Sequence, residues 1–377
     1  MKLITAIACG TALLVTAPVG AQKIKDTIIQ TDGARVRGVE VTSMTTDSIT
    51  YKRGSKESKL SASKIQTIDW HEPPESYLIA QVAMAKGNFE KAANFYKEAE
   101  TGTSRPVFQA ELKFQAADAL LRAAGDDVDK AAGAQSSMED YVSSAPDGLR
   151  IPAARLAIAR AVRLQGEAAE AETKLTEYEN LAIQNSWGLI WDARAKFEKA
   201  LAQVALNKHA EARSTYRGVI SAVDAALNSG DTDPQLHKLK SQSVVGEGET
   251  FIAEGQYDQA LIYFQKFENP TSSNQPTSVQ AAAYAGKGQA LFMKGSTSQD
   301  HKALRDAQVA LAMANLLDIG DGSTTAKALY FTGKVLLAIS SDKEKDKKAR
   351  AAAYFNAVTR FYASTPWASL AREELSR

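Results

Sequence analysis

The chain has very little cysteine, few aromatic residues and almost no net charge. Its only cysteine is Cys9, so no disulfide can form within the chain. Aromatic residues make up 7% of the sequence and there are four histidines, so few side chains are of the types that build sugar-stacking surfaces or metal sites. The 45 Lys and Arg residues almost balance the 44 Asp and Glu residues. This balance argues against a nucleic-acid-binding protein, which needs a basic surface to neutralise phosphates.

Long apolar runs are also missing, except at the start of the chain. Lys2 is followed by an apolar stretch to Val15, and Val19-Gly20-Ala21 places small residues where a signal peptidase cleaves. The stretch is too short for a good membrane span. We therefore predict a signal peptide over residues 1–21, cleavage before Gln22, and an exported protein that is periplasmic or secreted. Cleavage there would remove the only cysteine.

Residues 22–69 have the pattern of a small all-β module. Polar and apolar residues alternate over 35–42 and again over 47–52, which is typical of half-buried strands. About five short strands fit this stretch, and their order resembles an Sm-like or SH3-like half-barrel. So small a sheet is marginally stable alone, so we expect it to dock on the rest of the chain or to self-associate. The predicted inward residues are Val36, Val39 or Val41, Ile49, Tyr51, Leu60, Ile65 and Ile68.

Residues 70–75 are predicted to be a linker. Pro73 and Pro74 end any continuing strand and favour the start of a helix at Glu75. His71-Glu72 resembles half of a zinc-protease motif, but no second histidine follows one helical turn later. We therefore interpret the segment as a connection and not as a metal site.

From Glu75 onward the sequence repeats a unit of two amphipathic helices joined by a tight turn. The unit is clearest where Gly87-Asn88-Phe89 and Gly255-Gln256-Tyr257 separate two helical patterns. These stretches resemble tetratricopeptide repeats. Tyr141-Val142 with Pro146 resembles the repeat joints of bacterial periplasmic tetratricopeptide proteins of the cell envelope. The abundance of alanine agrees with closely packed helices.

The predicted fold class is therefore mainly α. Residues 75–377 are expected to form a solenoid of about seven helix pairs plus a capping helix, behind the small β-barrel-like module. The predicted pairs are 75–86 with 89–100, 106–124 with 127–144, 150–164 with 167–184, 187–206 with 209–227, 235–254 with 257–267, 276–294 with 302–317, and 324–340 with 345–363, followed by a cap at 366–375.

Glycines inside predicted helices are the nearest approach to a phosphate-binding motif. Gly246-x-Gly248 and Gly286-x-Gly288 lie at matching places in successive repeats, and Gly333 follows in the next one. A phosphate loop needs a preceding strand and a helix that opens at the glycines, and neither is present here. A glycine within a helix is unfavourable by about 1 kcal/mol relative to alanine. We therefore predict that these glycines allow close helix packing.

No pattern in the sequence indicates catalysis. The histidines are scattered, no glycine-flanked nucleophile is present, and no Ser-His-Asp order is found. We therefore predict no catalytic, cofactor-binding or metal-binding residues, and no enzymatic activity.

The resemblance to tetratricopeptide proteins implies a partner bound on the concave face, which the first helix of each pair lines. Projecting that face predicts the candidate contact residues Tyr77, Gln81, Arg160, Arg163, Glu249, Gln289, Tyr330 and Lys334.

The predicted function is a non-catalytic scaffold or adaptor that binds a protein or peptide. We predict that nucleic acid is not a partner and that the mature chain has no membrane span. Assembly of an envelope complex is one setting for such an adaptor. Two alternatives remain open. One is a peptidoglycan- or polysaccharide-binding accessory subunit, for which Trp187 and Trp191 are the only suitably spaced aromatic pair. The other is a structural homo-oligomer formed through the β module.

Overall fold

The computed structural model describes most of the chain after its first residues. The predicted signal peptide, including Cys9, lies outside the described part, so the leader and its cleavage remain predictions. The described residues are 24–125, 127–231, 233–268, 276–318, 322–339, 344–363 and 365–377.

The predicted β module is present as an open antiparallel sheet. Its spatial order is β4-β3-β2-β1-β5, so the first strand pairs with both the second and the last. β4 and β5 form the two edges and do not pair with each other, so the sheet does not close into a barrel. The strands are β1 (Asp26–Gln30), β2 (Arg35–Met44), β3 (Ser48–Arg53), β4 (Lys56–Ser61) and β5 (Ile65–Asp69).

A bulge in β2 explains how Val36 and Val39 come to pack against one core. Side chains three positions apart in a regular strand point to opposite faces. Gly38 has φ of +68°, and the pairing between β1 and β2 shifts by one residue beside it. The extra residue reverses the alternation, so Val36 joins Val39 and Val41 against the buried cluster. Ile28, absent from the predicted inward set, is fully buried there as well.

The helices confirm the predicted fold class. Antiparallel helix pairs follow one another from Glu75, and a short helix ends the described chain. The helices are α1 (Glu75–Ala85), α2 (Phe89–Thr101), α3 (Pro106–Ala124), α4 (Val128–Ser144), α5 (Ile151–Leu164), α6 (Ala168–Gln184), α7 (Leu189–Ala205), α8 (His209–Asn228), α9 (Pro234–Ala253), α10 (Tyr257–Glu268), α11 (Thr277–Ser298), α12 (His301–Leu317), α13 (Ser323–Ala338), α14 (Glu344–Phe361) and α15 (Pro366–Leu375).

Small residues occupy the helix crossings, as the repeat pattern predicts. Alanine or glycine at these points lets two backbones approach closely. In each of the first six pairs both helices carry a small residue that is buried. They are Ala80 with Ala92, Ala117 with Ala131, Ala159 with Ala171, Ala200 with Ala212, Gly248 with Ala260, and Gly288 with Ala307.

The glycines within helices are packing positions. A Cβ atom placed on Gly288 would lie 2.5 Å from Cγ of Leu311, and one on Gly333 would lie 2.5 Å from Cε1 of Phe355. Real Cβ atoms do not approach other heavy atoms this closely. The phosphate-loop alternative is therefore unnecessary.

The stack of pairs curves so that its first helices lie on the inner side. From α3 onward, successive first helices contact one another, α3 with α5 and so on to α11 with α13. Within the described chain, successive second helices such as α8 and α10 have few contacts or none. Elements on the inside of a curve come closer together than those outside, so the first helices line the concave face.

The β module docks on the helices through a buried ion pair. The Asp26 carboxylate is fully buried and accepts hydrogen bonds from Arg105 Nη1 at 3.0 Å and Nη2 at 2.5 Å. The backbone N–H groups of Val41 and His71 donate to the same carboxylate. Trp70, placed in the predicted linker, is buried and stacks on Phe108 of α3 at 4.5 Å between ring centroids. The expected docking of the module on the solenoid is therefore confirmed. Trp70, the first residue of the predicted linker, is held in place by this contact with α3.

Candidate partner-binding groove

A groove of about 600 Å³ opens between α7, α9 and α11. Because these are three successive first helices, the groove lies on the concave face. Its volume falls within the usual range of about 300–1,000 Å³ for ligand sites. The lining residues are Leu201, Val204, Tyr216, Gly246, Glu249, Thr250, Ile252, Ala253, Glu254, Gly255, Tyr257, Gln289 and Met293.

The groove combines an apolar wall with a small number of polar groups. Leu201 and Val204 from α7 face it together with Ile252 from α9 and Met293 from α11. Apolar walls with a few placed polar groups are characteristic of binding sites, because burial supplies affinity and the polar groups set orientation. The groove therefore has the composition of a site for an apolar side chain.

Gly246 allows an aromatic ring to pack into the wall of the groove. It lines the groove without a side chain, and a Cβ atom at this position would lie 2.5 Å from Cζ and 2.8 Å from Oη of Tyr216. The Tyr216 ring of the second helix α8 therefore packs directly against Gly246 at the wall of the groove. The sequence predicts only a packing role for Gly246.

Tyr216 remains a protonated donor at neutral pH. Burial raises the pKa of its hydroxyl, and the nearby Glu249 and Glu198 carboxylates raise it further. The Tyr216 side chain is almost fully buried and forms part of the groove lining.

Glu249 and Gln289 are the two predicted contact residues that the structure brings together. Glu249 accepts a hydrogen bond from Lys327 Nζ of α13 at 2.7 Å, and its side chain stays 36% exposed. Gln289 lines the groove from α11, and its side-chain Oε1 has no hydrogen-bond partner among the described residues. A buried acceptor without a partner is unfavourable by about 1–3 kcal/mol, so a donor that reached Gln289 would be bound favourably.

The end of α9 is held by a second charged contact. Arg213 of α8 donates to Glu254 at 2.8 Å and to the Thr250 hydroxyl at 3.2 Å. Its guanidinium also lies 4.7 Å from the ring centroid of Phe251. These contacts hold the α9–α10 turn, whose residues Glu254 and Gly255 line the groove.

The other predicted contact residues lie elsewhere in the solenoid. Tyr77 and Tyr330 are buried within aromatic clusters, Tyr77 against Phe108 and Tyr330 against Trp367. Arg163 and Lys334 form ion pairs with neighbouring helices, Arg163 with Glu198 at 3.1 Å and Lys334 with Glu374 at 2.8 Å. Gln81 and Arg160 are exposed, and Gln81 donates to the Tyr77 hydroxyl. A role of these residues in binding stays a prediction.

Sequence reasoning missed most of the groove. Leu201 and Val204 lie one helical turn apart on α7, so a projection of that helix could have found them. Lys327 could not be found in this way, because its side chain is 3% exposed and its partner Glu249 lies 78 residues away in the sequence.

The tryptophan pair of the glycan-binding alternative belongs largely to helix packing. Trp187 packs on Tyr178 at 5.2 Å between ring centroids, and Trp191 is half-buried beneath the Arg194 guanidinium at 4.8 Å. Both rings contact the same core cluster. They do not form a continuous exposed aromatic surface of the kind that sugars stack upon.

Metal-binding clusters and membrane-spanning helices are both absent from the described residues. The described residues contain no group of three or more His, Cys, Asp or Glu side chains arranged to hold a metal ion. None of the described helices has the length and apolar character needed to cross a membrane.

Comparison with known proteins finds similar structures but no sequence family. No family model matches the chain, and no curated protein matches it. A tetratricopeptide repeat protein from Parabacteroides merdae is 16% identical, with 75% of this chain and 91% of that chain covered and a TM-score of 0.43. A Rap protein complexed with competence and sporulation factor is 15% identical, with coverage of 79% and 75% and a TM-score of 0.47. The apo quorum sensor NprR from B. thuringiensis is 13% identical, with coverage of 77% and 78% and a TM-score of 0.42.

Proposed function

We propose that this protein is a non-catalytic adaptor that binds an extended segment of a protein partner on its concave face. The groove between α7, α9 and α11 is the main contact site. The observation that carries the proposal is the apolar groove crossing three successive first helices, with Glu249 of α9 and Gln289 of α11 in its lining. A groove that crosses several helices suits an extended chain better than a compact small molecule.

The polar groups of the groove suit a peptide segment. A peptide presents backbone N–H donors beside its side chains, and Gln289 Oε1 has no donor within the described residues. An apolar partner side chain between Val204 and Met293 would remove apolar surface from water, at about 25 cal/mol per Å². Glu249, held by Lys327, would limit which charges can enter.

Site-specific photocrosslinking tests the location of the binding site. A benzophenone amino acid at Val204 or Met293 is expected to give protein adducts in cells that express the chain. The matched control is Val309 on α12, which lies outside the groove and is 65% exposed. Equal adduct yields at Val309 and Met293 would contradict the proposed site.

A charge placed in the apolar wall gives a second test. Val204→Asp should abolish the adduct formed from Met293, because a carboxylate would have to be buried against the partner. Val309→Asp should leave that adduct unchanged. Circular dichroism of both variants establishes that the helices are intact. Absence of protein adducts together with measurable glycan binding would overturn the adaptor proposal in favour of the polysaccharide alternative.

We also propose that the adaptor acts outside the cytoplasm, in the bacterial cell envelope. The basis is the leader-like stretch over residues 1–21. Mass spectrometry of the protein from fractionated cells should find a chain that begins at Gln22 in the periplasmic or secreted fraction. A full-length chain confined to the cytoplasmic fraction would contradict export and leave the groove proposal intact.

A further inference from the structure

The β module presents one edge strand that is regular, exposed and uncovered. β4 lies at the edge of the sheet, and its pairing with β3 runs from Arg53–Lys56 to Ser48–Ser61 without a bulge. The other pairings in the sheet all contain a register shift. Unbulged edge strands are templates for pairing with another strand. Among the described elements, β4 has substantial contacts with β3 only.

The orientation of the backbone groups of β4 follows from one hydrogen bond. The Ala62 N–H donates to the Asp47 carbonyl at 2.8 Å just beyond the strand. Because hydrogen-bonded and non-hydrogen-bonded pairs alternate in an antiparallel ladder, Ser58 and Leu60 direct their backbone groups toward β3. Glu57 and Lys59 therefore direct theirs outward, where another strand would pair.

We propose that β4 pairs with β4 of a second copy of this chain, in antiparallel register about a two-fold axis through Ser58. This register places Glu57 of one copy opposite Lys59 of the other. The two-fold symmetry also places Lys59 of the first copy opposite Glu57 of the second, so the dimer contains two such pairs. Both residues belong to the outward hydrogen-bonding set, so their backbone groups also pair. The two sheets then form one continuous sheet.

Charge complementarity favours a second copy over an unrelated strand. In this register each Glu57 faces a Lys59, and no like charges lie directly opposite. Lys56 falls opposite Leu60, whose partly exposed side chain can cover the aliphatic part of the lysine. Within the described chain, neither Glu57 nor Lys59 forms an ion pair with another side chain. The formal net charge of +1 means that two copies repel each other little.

The attachment of the module supports this use of β4. Asp26 of β1 and Trp70 after β5 fix the β1–β5 side of the sheet to α3. The opposite side of the sheet, which ends at β4, is consequently held in a constant position relative to the solenoid. Pairing through β4 would set the relative orientation of two concave faces in the dimer.

Charge reversal tests the proposed register. Sedimentation of the wild-type chain should show a monomer–dimer equilibrium. Glu57→Lys or Lys59→Glu alone should weaken the dimer by about tenfold or more, because two opposed pairs become like-charged. The double variant Glu57→Lys with Lys59→Glu restores both opposed pairs, so dimerisation should return. A double variant that stays as monomeric as the single ones would overturn the proposal.

Cysteine crosslinking tests the position of the axis. In a Cys9→Ser background, Ser58→Cys places two thiols at a directly opposed non-hydrogen-bonded pair, where Cα atoms lie about 4.5 Å apart and a disulfide can form. Ser61→Cys, also on β4 but away from the axis, is the matched control and should not crosslink. Equal crosslinking of both variants would refute the register.

Two further outcomes would overturn the proposal. One is a wild-type chain that remains monomeric at the highest concentration reached. The other is a monomeric chain whose β4 edge pairs with an extended peptide from a different protein, detected as a mixed disulfide at Ser58→Cys. Neither outcome bears on the groove, so the proposed function is tested separately.

Discussion

The ring of Phe264 lies between two glycines on different helices, and this arrangement gives a sharp test of the packing. Phe264 is fully buried on α10. A Cβ atom on Gly248 of α9 would lie 2.5 Å from its Cε1 and 2.7 Å from its Cε2. A Cβ atom on Gly286 of α11 would lie 2.7 Å from its Cε2. The ring therefore has no space to move away from one glycine without approaching the other helix.

The expected effect of Gly248→Ala on the free energy of unfolding is the sum of two opposing contributions. Carbon atoms pack at about 3.5–4.0 Å, so Gly248→Ala requires the Phe264 ring or α9 to move by about 1 Å or more. Overpacking of this kind destabilises a protein by about 1–3 kcal/mol. The better helix propensity of alanine returns about 1 kcal/mol. We expect Gly248→Ala to have a net unfavourable effect on the free energy of unfolding.

A matched control variant measures the helix-propensity contribution of alanine by itself. Gly218 also lies within a helix, α8, but it is exposed and a Cβ atom there would have no neighbour within 4 Å. Gly218→Ala should stabilise the protein by up to about 1 kcal/mol. Urea titrations followed by circular dichroism would compare the two variants. Their difference, about 1–3 kcal/mol, measures the packing at Phe264 alone.

A double variant identifies the clash as the cause. Phe264→Leu shortens the side chain, so Gly248→Ala should be less unfavourable in that background, with an interaction energy of about 1 kcal/mol. Amide hydrogen exchange in α10 should report the same change locally. The packing argument would be refuted if Gly248→Ala and Gly218→Ala shifted the urea midpoint in the same direction by the same amount.

Three further predictions concern contacts outside the groove. Arg105→Ala leaves Asp26 buried without its cation, so the unfolding free energy should fall by about 3–5 kcal/mol in a urea titration, and an unchanged midpoint would contradict the docking role. Burial by itself raises the pKa of Glu111, but Arg150 donates two hydrogen bonds to it and the net pKa is lowered. The Glu111–Arg150 pair therefore contributes its full stabilisation above the pKa that Glu111 has in the unfolded chain. This stabilisation is lost as the pH falls through the lower pKa that Glu111 has in the folded protein. Glu111→Gln should weaken the loss of stability at acid pH, as measured in thermal melts. Asn207 has φ of +58° at the α7–α8 turn, so Asn207→Val should lower the melting temperature while Asn207→Gly leaves it nearly unchanged.

Much of the solenoid could be predicted from local sequence. Gly87 and Gly255 mark helix ends because they tolerate positive φ, and both have it in the structure. The place of Gly288 and Gly333 within helical patterns predicts that they are packing positions, and the space around each is too small for a Cβ atom. These assignments succeed because helix periodicity and turn geometry depend on residues only a few positions apart.

The surface of the solenoid was harder to predict. Tyr77 and Tyr330 project toward the predicted concave face, but both are buried. Tyr77 is covered because α3 brings Phe108 against it, and Tyr330 because the last helix brings Trp367. A helical projection gives the direction of a side chain and contains no information about what a distant element places over it.

The sequence by itself determined the helix pairs, their turns and the small residues at their crossings, because chain geometry sets these locally. Tertiary structure decided which polar residues pair and which remain available. Asp26 meets Arg105 across 79 residues and Glu249 meets Lys327 across 78. The groove at Gln289 likewise exists only because three first helices approach on the inside of a curve. Such contacts depend on the sum of many helix-packing geometries, which no single stretch of sequence specifies.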